Sequence, residues 1–135
     1  MTFGDLSHFY ANLSDYSLQN EIAKAYSEAI DTSGEKRRRI TPERLKGYLW
    51  VLTDFRNVCA HDERFYCHIS ARVRTFNAGK TDVGGLIKII RRLLSEKDSL
   101  LFTESISQLA TKYRQRHGVS NNVSEAVFKI MGHTE

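Results

Sequence analysis

Thr41-Pro42-Glu43-Arg44-Leu45-Lys46-Gly47-Tyr48-Leu49-Trp50-Val51-Leu52-Thr53-Asp54-Phe55-Arg56-Asn57-Val58-Cys59-Ala60-His61 decides the fold class of this chain. Thr41 can cap, Pro42 suits a first helical position, and Glu43 meets the positive end of the helix dipole. Leu45, Tyr48, Leu49, Leu52, Phe55 and Cys59 then recur at three- and four-residue steps, which predicts one long amphipathic helix reaching about His61. Tyr48, Phe55 and Cys59 are expected in the core.

Similar periodicity extends on both sides of this helix. Upstream, Phe3, Leu6, Phe9, Tyr10 and Leu13 predict a short helix introduced by Thr2, and Ile22, Ala25, Tyr26 and Ile30 share one face of a second helix from about Leu18 to Ile30. A polar segment, Asp31 to Arg39, separates that helix from the long one. Downstream, after a connection over Phe65 to Lys80, Thr81 is expected to cap a helix carrying Val83, Leu86, Ile87, Ile90, Leu93 and Leu94. A fifth helix follows over about Ser99 to Arg116, and a short last one over Val123 to Met131 between Gly118 and Gly132. Gly84-Gly85 reads as close packing, since it lacks the pattern of a phosphate-binding loop. The prediction is a single all-α domain over residues 1–135, a bundle of about five to six helices.

Composition agrees with this picture. With 135 residues, 41% hydrophobic and 27% charged, the chain is long and apolar enough for one core. One proline and eight glycines are too few for the frequent turns of a sandwich or barrel. No apolar run is long enough to span a bilayer, and the start, Met1-Thr2-Phe3-Gly4-Asp5, lacks the pattern of a secretory signal. A cytoplasmic location is therefore expected, with Cys59 and Cys67 as reduced thiols. Twenty Lys plus Arg against sixteen Asp plus Glu leave a formal charge of +4, a mild bias toward polyanions.

The chemistry concentrates at the end of the long helix. On a wheel of 100° per residue starting at Leu45, Leu49, Leu52 and Cys59 lie within about 40° of the stripe centre, and Arg56 falls at about 20°. A guanidinium thus stands where the pattern asks for an apolar group. Trp50, Asp54, Asn57 and His61 gather at about 120 to 180°, so Arg56 and His61 are about 140° apart on a regular helix. A shared site requires the long Arg56 side chain to reach round, a distorted helix end, or a second subunit.

Metal-independent RNA cleavage needs a base for the 2′-hydroxyl, an acid for the leaving oxygen and a cation for the phosphorane. His61 can serve as base or acid near neutral pH, and Arg56 can hold two phosphate oxygens. A two-fold dimer would supply a second histidine. The Arg-x4-His spacing alone is weakly specific, and the structural alternative is an Arg56 ion-paired at the core edge beside a surface His61.

In its surroundings, Phe55-Arg56-Asn57-Val58-Cys59-Ala60-His61-Asp62-Glu63-Arg64 closely resembles the hallmark of the Abi-like abortive-infection proteins, the AbiD/AbiF group. The opening Phe3-Gly4-Asp5-Leu6-Ser7-His8-Phe9-Tyr10 with Leu13, and the closing Ile130-Met131-Gly132, resemble the same family, so the likeness covers most of the chain. The resemblance implies placement in the HEPN superfamily of dimeric helical endoribonucleases that need no metal or other cofactor. It also implies a phage-defence or toxin-antitoxin setting with an antitoxin protein or RNA as partner. It makes Arg56 and His61 the catalytic pair, with Asn57 at the polar position after the arginine and Arg64 as a phosphate contact. Asp54 is a supporting residue. Two departures stand out: family members commonly carry a region ahead of the point where this chain starts, which suggests a short member or truncated frame, and Asp62 stands where a second histidine is frequent.

Three further readings compete. Lys36-Arg37-Arg38-Arg39 could contact RNA phosphates or be solvated loop charge. Cys59, His61, Cys67 and His68 contain zinc-ligand types, but residues 59 and 61 point about 200° apart on a helix and match no common module. A helix-turn-helix over residues 18 to 52 is disfavoured by the long loop before Thr41. A non-catalytic module binding RNA or a partner protein is the alternative to the enzyme.

Overall fold

A computed structural model describes residues 2–31, 39–61, 64–70 and 81–117. Five α-helices appear in these residues: α1 Phe3–Asn12, α2 Tyr16–Ile30, α3 Pro42–Ala60, α4 Val83–Leu93 and α5 Glu96–His117. A 3-10 turn, Phe65–Cys67, follows α3. No strand is present among the described residues, and the sole extended pairing there is an isolated antiparallel bridge between Ser70 and Thr81. The chain is all-helical, as its periodicity predicts. The expected last helix over Val123 to Met131 lies outside the described residues.

Local chemistry explains the helix starts. Thr2 and Asp5 form a reciprocal capping box, with the Asp5 N–H donating to Thr2 Oγ1 and the Thr2 N–H donating to Asp5 Oδ2. These bonds hold the Asp5 carboxyl below its ordinary range. Asp15 caps α2, which therefore begins at Tyr16, ahead of the expected Leu18. Thr41 caps α3 and Pro42 occupies its first turn. The cap of α4 is Asp82, not Thr81: Asp82 Oδ1 accepts the Gly85 N–H at 2.8 Å, while Thr81 spends its backbone groups on Ser70. Gly85 has no room for a methyl group, since a Cβ there would lie 2.7 Å from Thr81 Cγ2.

Helix α3 is central, packing against α1, α2, α4 and the 3-10 turn, while α5 packs on α4. Its buried apolar residues are Leu45, Tyr48, Val51, Phe55 and Val58. This corrects the predicted stripe. Tyr48 and Phe55 are core residues as expected, but Leu49 and Leu52 are half-buried and Cys59 is exposed. On the same wheel the buried face centres near about 260°, so Arg56 at about 20° lies well outside it. Arg56 is not an arginine lodged in an apolar seam; its exposure follows from where the neighbouring helices pack.

Helix α1 also departs from its predicted face. Tyr10 and Ser7 are buried, whereas Phe3, Leu6 and Phe9 stay 37%, 40% and 60% exposed. Small groups let α1 approach α3: Gly4 faces Thr53, and the Thr53 hydroxyl meets Ser7 Oγ at 3.1 Å in a buried contact. Tyr10 Oη donates to the Gln19 carbonyl, joining α1 to α2, and burial pushes its phenol pKa up. Tyr26 Oη donates to the Leu93 carbonyl at 2.6 Å, joining α2 to the end of α4.

Candidate nucleic-acid site at the end of α3

The regular helix runs to Ala60, and His61 is its C-terminal cap, with φ −98° and ψ 12° and its N–H donating to the Asn57 carbonyl at 3.0 Å. Arg56 and His61 therefore do emerge from different sides of one undistorted helix. Both are exposed. Arg56 Nη1 donates to Asn57 Oδ1 at 3.1 Å. Asn57 stands between the two on the wheel, so this bond draws the guanidinium around the helix toward the His61 side.

Arg56 forms no ion pair among the described residues, so the core-edge ion pair weighed as its structural alternative does not appear there. A guanidinium held by a neutral amide keeps its charge and four remaining N–H donors for an outside anion. His61 carries its imidazole on the cap, where the ring is open to water. The Arg56 guanidinium and the His61 imidazole are thus both exposed at the C-terminal end of α3.

Asp54 lies on the same line of the helix as Asn57 and His61, and its Oδ2 accepts a bond from His68 Nε2 at 3.0 Å. The pair is partly buried, with 23% of the His68 and 18% of the Asp54 side-chain surface exposed. The His68 ring also meets Phe55 edge-on at 4.9 Å and 88°, and Phe65 packs on the other contact of Phe55 at 5.5 Å and 69°. Asp54 fastens the segment after α3 back onto the helix. His68 was not singled out for that role by sequence: its spacing from Asp54 follows no helical or strand period, and only the turn at Phe65–Cys67 brings them together.

Arg64 opens that turn, its carbonyl accepting the Cys67 N–H, and its side chain is exposed. Arg39 is exposed and reaches Asn20 Oδ1 at 3.3 Å, beside α2 and away from the end of α3. Arg37, Arg38, Asp62 and Glu63 lie outside the described residues. Cys59 and Cys67 are both exposed free thiols, and among the described residues no three His, Cys, Asp or Glu side chains are placed to hold a metal ion. No described helix is long and apolar enough to cross a membrane.

Neither the curated proteins nor the solved structures contain a match to the chain. The family model described as Abi-like protein matches residues 1–67. That match spans α1, α2, the whole of α3 with Arg56, Asn57 and His61, and the turn that carries Arg64. Through this first half, which holds the central helix and its exposed arginine and histidine, the chain belongs to the Abi-like protein family.

Proposed function

We propose that the chain is a metal-independent endoribonuclease of phage-defence or toxin-antitoxin type that cleaves single-stranded RNA at Arg56 and His61. Membership of the Abi-like family points to abortive infection or phage defence. The observation that carries the finer reading is the Arg56 guanidinium, exposed and turned by Asn57 toward the side on which His61 caps α3.

In the proposed reaction one His61 takes the 2′-hydroxyl proton, and the 2′-oxygen attacks phosphorus. Arg56 holds two non-bridging oxygens as negative charge develops. The P–O5′ bond then breaks, and the 5′-oxygen receives a proton from a second imidazole. The products are a 2′,3′-cyclic phosphate and a 5′-hydroxyl. Arg64 contacts a neighbouring phosphate.

The second imidazole is His61 of another copy in a homodimer. Exposed Phe3, Leu6 and Phe9 on α1 support a protein partner there, because Gly4 of that helix faces Thr53, one turn before Arg56. The test compares wild type, Arg56→Ala and His61→Ala on a single-stranded RNA in EDTA, alongside light scattering. Loss of cleavage by about 100-fold or more in both variants is expected. Equal cleavage by all three refutes the assignment, and a strictly monomeric active protein refutes the composite site. Intact RNA with a salt-sensitive mobility shift would instead favour a non-catalytic binding module.

A further inference from the structure

A second group of basic residues lies toward the start of α3, whereas Arg56 is in its C-terminal part. A cavity of about 400 Å³ opens between Ser27 and Ile30 of α2, Ile40 just ahead of α3, Lys88, Arg91 and Arg92 of α4, and Ser99 of α5. Helix α3 begins at Pro42, two residues after Ile40, and Arg56 lies fourteen positions further on, about 21 Å at the rise per residue. The cavity is therefore separate from the Arg56–His61 site.

Three features of its construction bear on what it would hold. Lys88, Arg91 and Arg92 sit at i, i+3 and i+4 on one face of α4, so their charges repel one another and an anion between them relieves that repulsion. No carboxylate is among the described lining residues, and Lys88 and Arg91, both exposed, form no ion pair among the described residues. Glu96 and Asp98, on the first turn of α5, stand outside the lining, with Asp98 accepting a bond from Ser95.

The walls are fixed without help from a ligand. Ser27 Oγ donates to the Ala23 carbonyl at 2.7 Å and accepts the Ile40 N–H at 3.1 Å, and the Tyr26–Leu93 bond holds α2 to α4 beside it. Ser99 is 7% exposed and adds a hydroxyl, while Ile30 and buried Ile40 form an apolar floor. A recess of this volume falls within the usual range for small-molecule sites and exceeds what a bare inorganic anion fills.

We propose that this cavity binds a phosphate group carried on a compact, partly apolar body, a nucleoside phosphate, with Lys88 and Arg91 as the anion contacts. The body rests on Ile30 and Ile40. The same chemistry could be presented by a free nucleotide or by the 5′-phosphorylated end of an RNA strand. The inference goes beyond the cleavage reading and does not depend on it.

Calorimetry on the full chain carrying His61→Ala, so that RNA is not consumed, tests this with ATP, adenosine, and a ten-nucleotide RNA bearing either a 5′-phosphate or a 5′-hydroxyl. ATP or the 5′-phosphorylated RNA should bind at least tenfold more tightly than its phosphate-free counterpart, with affinity falling as salt rises. Lys88→Gln with Arg91→Gln should remove that preference, and Arg56→Ala should leave it intact. Arg92, half-buried and already engaged in another contact, stays unchanged. Both replaced side chains are exposed, and a melt of the double variant checks its fold. A phosphate preference for ATP alone identifies a free nucleotide as the ligand, and one for the RNA end identifies the strand. Adenosine binding as well as ATP, together with no 5′-phosphate preference, overturns the proposal. So does a preference that survives the double substitution in a folded variant.

Discussion

Replacing His68 with alanine removes the contact that closes the segment after α3 onto the helix. Two interactions are lost: the bond from Nε2 to Asp54 Oδ2 at 3.0 Å, and the edge-on contact with Phe55 at 4.9 Å. A partly buried hydrogen bond contributes about 1 kcal/mol net, and an aromatic pair of this geometry about 1 kcal/mol more. His68→Ala should therefore lower stability by about 2 kcal/mol. For a chain of this size that is a fall in Tm of about 8 °C. The bond itself is isolated by a double-mutant cycle with Asp54→Ala, read from chemical denaturation, and the coupling should be about 1 kcal/mol. Additive single substitutions, to within about 0.3 kcal/mol, would show that the pair stabilises nothing.

The same variant separates holding from chemistry. Under the proposed ribonuclease reading His68 positions the turn that carries Arg64, so its loss should raise KM for RNA several-fold and leave kcat nearly unchanged. A kcat loss as deep as that of His61→Ala would contradict this and put His68 in the proton transfers.

Two further outcomes follow from local geometry. Gly85→Ala should destabilise by about 1 kcal/mol despite the better helix propensity of alanine, because the new Cβ meets Thr81 Cγ2 at 2.7 Å; in a Thr81→Ser background, which removes that methyl, the same change should stabilise, as read by thermal melts. The Glu43 carboxyl is held below its ordinary range by its own backbone N–H, by Thr41 and by the Tyr16 hydroxyl at 3.0 Å. With the native value below the unfolded one, its contribution is complete above the unfolded value and disappears as pH falls through the native value, so wild type and Glu43→Gln should differ in stability at neutral pH and converge below about pH 4.

Much of the architecture is written in nearest-neighbour chemistry. Capping at Thr2 and Thr41, proline at position 42, and three- to four-residue apolar spacing specify helices wherever they occur, because those bonds and propensities act within one turn. The same locality places Arg56, Asn57 and His61 at the end of α3, and makes the motif recognisable as Abi-like. Which face of α3 is buried is another matter. The periodicity groups Leu49, Leu52 and Cys59 with Leu45, Tyr48 and Phe55, and the wheel centred on that stripe puts Arg56 among apolar positions and Cys59 in the core. The packing of α1 through Gly4 and Ser7, and of α2 and α4 on the other sides, shifts the buried face toward Val51 and Val58, keeps Leu45, Tyr48 and Phe55 in it, and leaves Arg56 and Cys59 in solvent. The Asp54–His68 bond and the cavity beneath Lys88 and Arg91 likewise join residues far apart in the chain. Helical propensity is a property of a few adjacent residues; burial and convergence belong to the surfaces that meet, and those exist only once the helices have packed.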